Sequence, residues 1–236
     1  MKILKRIAVS FSIYSRIPMP HFKWSDDDYG HSLGFFPMVG ALIGVLSYAV
    51  YRLCTYVGMY DNVTAVVLIL IPVIITGGFH LDGYMDTVDA LKSYRTKEEK
   101  LKILDDPHTG AFAIIGLVSM MLISAASATV IVKGRDDRAV LIVCICFVLS
   151  RAVSGLLAFT MPHARTDGML HTETHRSPRS VLAALWSWSV ICFVTLGVCD
   201  IIYALFISLC YLFLVLYYGF HLCYYHLYYI YLFVLF

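Results

Sequence analysis

The sequence predicts an all-α, polytopic transmembrane helix bundle of about six to seven spans with a cytoplasmic-side active-site mouth, and three observations carry that prediction. First, the 236 residues are 60% hydrophobic and only 14% charged, with a mean hydropathy of +0.77. Soluble domains carry about 25% charged residues, so most of this chain is expected in lipid. Second, apolar runs long enough to cross a hydrocarbon core of about 30 Å alternate with short polar links. Third, every Lys and Arg lies at or before Arg179, most of them outside the apolar runs, so the basic residues report topology. The formal net charge of +2 and this placement give no nucleic-acid footprint; the expected surroundings are the lipid bilayer of the cell membrane. The seven cysteines lack CxxC or Cys/His metal spacing and read as small core residues. Residues 1–236 read as one integral membrane domain, with its oligomeric state open to a homo-oligomer.

Residues 1–20 begin with Lys2, Lys5 and Arg6 and carry an apolar stretch interrupted by Arg16 and ended by Pro18 and Pro20. That stretch is too short to span and fits an interfacial helix. The acidic triplet Asp26, Asp27 and Asp28 reads as a polar connection able to cap the next helix. A first span runs from Leu33 to about Val57, with Gly40 and Gly44 in GxxxG spacing that permits close helix approach. A second, from about Val63 to Phe79, contains Pro72, a kink signal. Thr96 and Glu99 have capping-box spacing and predict a short amphipathic helix to about Leu104. Further spans are predicted over about 112–132, 139–161, 181–198 and 201–218. Residues 80–109 and 162–180 are the long polar loops, both carrying several Lys or Arg, and the positive-inside rule makes them cytoplasmic. The tail, 211–236, lacks Lys, Arg, Asp, Glu, Ser and Thr and is rich in Tyr, Leu and Phe. It reads either as a further span or as the product of a changed reading frame.

The chain is organised around Gly77-Gly78-Phe79-His80-Leu81-Asp82-Gly83-Tyr84-Met85-Asp86-Thr87-Val88-Asp89. On a helix Asp82, Asp86 and Asp89 stand at i, i+4 and i+7, so they share a face and span roughly 10 Å. Three like charges beside a bilayer repel, and burying them is costly unless something neutralises them. A hard divalent cation with oxygen ligands does so, and Mg²⁺ leaves positions for waters and substrate phosphate. The alternative is a solvated polar face at the end of a span. Asp106, on a turn before Pro107, either completes the metal site or is an exposed turn carboxylate. Arg151 lies inside an apolar span, where an ionisable residue is a functional candidate by default. It pairs with the acidic face, binds a phosphate bidentately, or is held by a buried carboxylate.

Over about residues 8–170 the chain resembles the cobalamin synthase (adenosylcobinamide-GDP ribazoletransferase) family. The resemblance rests on the Gly77–Gly83 run with Asp86-Thr87-Val88-Asp89. It is supported by Arg16-Ile17-Pro18-Met19-Pro20, Phe35-Phe36-Pro37 through Gly44, Asp106 through Phe112, Ser150-Arg151-Ala152, and Pro162-His163-Ala164-Arg165 with Gly168. It implies a Mg²⁺-dependent membrane transferase that joins α-ribazole, or its phosphate, to adenosylcobinamide-GDP and releases GMP. In that reading Asp82, Asp86 and Asp89 are catalytic, and Asp82, Asp86, Asp89 and Asp106 are the metal-ligand candidates. His80, Arg151 and Arg165 are the expected substrate contacts. Where the family has Asp-Ser-Arg this chain has Asp106-Pro107-His108, the loop after Arg165 departs from the usual pattern, and the family's Gly-Gly-x-Thr-Gly-Asp segment has no counterpart. Those departures keep a second expectation open, a member of the same family without activity. A third, from a different class, is a transporter or channel with an acidic mouth.

Overall fold

A computed structural model describes residues 2–20, 22–104, 106–160, 174–175, 177–202, 205 and 209. All regular elements among them are helical: α1 (Lys2–Tyr14), α2 (Asp26–Ser32), a 3₁₀ turn (Leu33–Phe35), α3 (Phe36–Tyr56), α4 (Asp61–Thr76), α5 (Phe79–Lys92), α6 (Lys97–Ile103), α7 (Ala111–Gly134), α8 (Asp137–Thr160) and α9 (Arg179–Cys199). Four helices are long and apolar enough to cross a membrane, or five if the bent pair α4 and α5 counts as one span. The described residues therefore supply four or five of the about six to seven expected spans. The predicted span at 201–218 falls almost wholly outside them, and the 211–236 tail entirely so.

α1 is amphipathic: Val9, Phe11 and Tyr14 are buried while Lys2 and Lys5 are exposed, and the Tyr14 ring lies 4.2 Å from that of Phe36. It packs on α2 and α3 as an interfacial helix would. The acidic triplet forms the first turn of α2 rather than a loop, because Ser25 and Asp28 make a reciprocal capping box. Asp27 pairs with Arg6 at 2.7 Å and ties α2 to α1.

The GxxxG pair sets the main helix contact. A Cβ on Gly40 would strike the Phe147 carbonyl, and one on Gly44 would come within 2.8 Å of the Cys144 carbonyl, so α3 and α8 meet nearly backbone to backbone. α9 closes the other side of α8 through Leu149, Val153, Cys192 and Leu196. At the far end Tyr51, Ala65, Val132 and Val140 join α3, α4, α7 and α8. The ion pairs Arg52–Asp137 (2.7 Å) and Arg135–Asp61 (3.2 Å) fasten the links there.

α4 ends in a Schellman motif. Gly77 N–H donates to the Ile74 carbonyl and Gly78 N–H to the Val73 carbonyl, and both glycines are left-handed (φ 68° and 78°). Two successive left-handed residues turn the chain sharply, and α5 leaves α4 at 94°. α5 thus runs nearly perpendicular to α4 across the end of the bundle. Gly116 lets it rest on α7, since a Cβ there would press on Val88.

Candidate active site

α5 has two faces. His80, Tyr84, Thr87 and Val88 are buried, while Asp82 is exposed and Asp86 and Asp89 are half-buried. At 100° per residue the three carboxylates fall within one narrow arc and the buried set lies opposite. The expected acidic face is therefore present on a helix, at the mouth. None of its three carboxylates is in an ion pair among the described residues. The Asp86 carboxyl is pushed above the usual carboxylate range, first by burial and then by the negative charges of Asp82 and Asp89. No group of three or more ligating side chains closes into a metal cage among the described residues. Mg²⁺ commonly takes only one or two carboxylates and fills its other positions with water and phosphate oxygens.

The turn before α7 is folded back onto α5. Gly110, the N-cap of α7, lies directly against the Asp89 carboxylate, which occupies the space where any Cβ at 110 would stand. This puts the segment carrying Asp106 beside the end of the acidic face. Asp106 itself is exposed and engaged: its Oδ1 accepts the His108 N–H at 2.9 Å and lies 2.6 Å from His108 Nδ1. Those two contacts hold the Asp106 carboxyl below its ordinary range. His108 thus occupies the turn with its ring on Asp106.

His80 and Arg151 lie on the other side of α5. The His80 ring faces Phe36 at 6.0 Å and Phe79 at 5.5 Å. Arg151 is 6% exposed, with Nη1 donating to the Phe147 carbonyl and Ser150 Oγ at 3.0 Å each. It forms no ion pair among the described residues, neither with the acidic face nor with a buried carboxylate. Arg165 lies outside the described residues.

Three positions without a predicted role join the site region. Arg16 lies over the α4–α5 bend, where its side chain fills the space above Gly77 and its N–H donates to the Ile75 carbonyl at 2.8 Å. Gly110 and His108 shape the turn facing Asp89. Their only local signals are the glycine before an apolar run and the Asp-x-His spacing, and neither reveals a contact with a helix some twenty residues away.

The family description "cobalamin-5-phosphate synthase" matches residues 6–229. The chain belongs to this family. Among curated cobalamin-5-phosphate synthase relatives, each named adenosylcobinamide-GDP ribazoletransferase, that of Lachnoclostridium phytofermentans is 37% identical over 172 residues, 73% of this chain and 64% of the relative. That of Clostridium perfringens strain 13 is 37% identical over 157 residues, 66% of this chain and 61% of the relative. That of Acetivibrio thermocellus is 38% identical over 129 residues, 53% of this chain and 51% of the relative. The chain thus spans less than two thirds of the length of these relatives. No solved structure matches it.

Proposed function

We propose that this protein is a Mg²⁺-dependent transferase of the cytoplasmic membrane. It moves the adenosylcobinamide-phosphate group from adenosylcobinamide-GDP to α-ribazole, or its phosphate, and releases GMP. The observation that carries the reading is the unpaired acidic face of α5, set at the bundle mouth in a chain whose relatives are named for this transfer.

In the reaction a ribose hydroxyl oxygen bonds to the phosphorus that bears the cobinamide. The bridging P–O bond breaks, its electron pair passes to the departing GMP, and the hydroxyl proton goes to a base. Bound Mg²⁺ would neutralise charge on the diphosphate and assist the leaving group. Asp82 and Asp86 are the proposed principal ligands, with Asp106 able to approach on its turn. Asp89, seated against Gly110 at the end of the face, orients or deprotonates the attacking hydroxyl. Base and ligand roles among the three helix carboxylates are interchangeable in this reading. Arg16 above the bend and Lys92 at the end of α5 supply cations for the phosphates at the two ends of the helix. Arg165 remains a proposed substrate contact, while His80 and Arg151, also expected as contacts, stand on the opposite side of α5 from the acidic face.

The test follows GMP and corrinoid product from membranes bearing the wild type or Asp82→Ala, with adenosylcobinamide-GDP, α-ribazole phosphate and Mg²⁺. Asp82→Ala should lower the rate by about a hundredfold or more, the scale of losing a transition-state charge contact. Product formation independent of Asp82, or of divalent cation, would sink the reading. Absence of product from correctly inserted wild type would identify a member of the family without activity.

A further inference from the structure

Behind α5 the bundle encloses a cavity of about 680 Å³ between α3, α4, α5, α7 and α8. Its size lies within the roughly 300–1,000 Å³ of ligand pockets. The wall runs from Val132 and Val140 at the far end to Thr76, His80 and Arg151 below α5. Along α8 alone that is about 16 Å at 1.5 Å per residue. The shape is long, it is lined mainly by aliphatic side chains, and it ends at a cation.

Two observations make this more than a packing defect. The described lining residues include no Asp or Glu, and among the described residues Arg151 has no counter-ion. Its Nε, and Ser47 Oγ higher in the same wall, are buried with no hydrogen-bond partner among the described residues. A guanidinium with open donors in a low-dielectric setting calls for an anion. The second observation concerns access. α7 packs on α4 and α5 and touches α8 only sparsely, and of its own side chains just Ala113 and Val132 are buried among the described residues. The seam between α7 and α8 is thus sparsely packed, and it belongs to two membrane-length helices.

We propose that this cavity holds one anionic phospholipid, its phosphate on Arg151 and one acyl chain running between α4, α7 and α8 toward Val140. A free phosphate would satisfy the charge but leave the aliphatic length empty. A substrate phosphate held on the acidic face stands on the opposite side of α5 from the cavity, whose wall His80 and Tyr84 line. The lipid chain fits both the charge and the length, and it enters from the surrounding bilayer. The inference stands independently of the transferase reading.

The test is native mass spectrometry of the full-length protein in mild detergent, with phosphatidylglycerol, phosphatidylcholine or inorganic phosphate titrated in. Wild type should retain one phosphatidylglycerol at least tenfold more tightly than phosphatidylcholine, with inorganic phosphate a poor competitor. Arg151→Gln should lose that preference, and Arg151→Lys should keep it in part, separating charge from misfolding. Ser124→Phe, which fills the wall of α7, should weaken phosphatidylglycerol while leaving the fold's melting temperature near wild type. Retention unchanged in Arg151→Gln, equal retention of the two lipids, or displacement by inorganic phosphate would overturn the proposal. So would loss of α-ribazole phosphate affinity in Arg151→Gln with lipid retention intact.

Discussion

At the scale of single residues, Asp86 is where electrostatics and the proposed metal role pull in opposite directions. Burial and the charges of Asp82 and Asp89 raise its pKa, so the folded protein holds the Asp86 proton more tightly than the unfolded chain does. The linked stability is fully present below the ordinary carboxylate value of about 3.9 and is lost as pH rises through the raised folded value. Asp86→Asn removes the ionisation and keeps the shape. In the absence of divalent cation, the wild type should lose thermal stability across that acid window, and Asp86→Asn should lose less, ending more stable at neutral pH while transferring more slowly. Thermal unfolding against pH in detergent checks it, and parallel curves for the two proteins would show that Asp86 carries no such strain. Asp106 runs the other way, held ionised by His108, which is why one pattern of acids contains carboxylates with opposite tendencies. The spacing of Asp82, Asp86 and Asp89 was readable from the sequence because helix periodicity alone places them. The engagement of Asp106 by His108 was not, since it depends on the conformation of a turn that Pro107 only constrains.

At the scale of elements, the bend between α4 and α5 decides where the acidic face points. The sequence marks Gly77 and Gly78 as a glycine pair at the end of an apolar run, but the 94° turn follows from both adopting left-handed φ inside a Schellman motif. The two positions differ in surroundings. A Cβ at Gly77 would meet the Arg16 side chain, whereas nothing stands within 4 Å of one at Gly78. Left-handed backbone costs a non-glycine residue about 1–2 kcal/mol, so Gly78→Ala should show that cost alone. Gly77→Ala should cost more, and Arg16→Ala should relieve the excess. A double-mutant cycle on unfolding stability measures the coupling; a value near zero would remove Arg16 from the bend. Other elements needed no such context. The capping box at Thr96 is seen as predicted, with Thr96 N–H donating to Glu99 at 3.1 Å, because capping is decided within four residues. The GxxxG packing of α3 was legible as a close approach, but its partner, α8, was not, because helix pairing is a long-range choice.

At the scale of the whole molecule, the two ends of the bundle are chemically unlike, and that asymmetry predicts its orientation. One end carries α5, α6 and the Asp106 turn, with Lys92, Arg95 and Lys102 among their residues. The other carries short links closed by Arg52–Asp137 and Arg135–Asp61, with fewer Lys and Arg. Positive-inside bias therefore predicts that the α5 end faces the cytoplasm. Single cysteines report this directly, with Ser93→Cys after α5 and Asp136→Cys in the α7–α8 link. The native cysteines among the described residues are buried or half-buried within or at the ends of helices, so they should give little background. A membrane-impermeant maleimide should label position 136 in right-side-out vesicles and position 93 only in inverted ones. Labelling of position 93 from outside would reverse the topology and put the acidic face where neither Mg²⁺-bound nucleotide nor the cytoplasmic substrate pool could reach it, removing the physical basis for the proposed transfer.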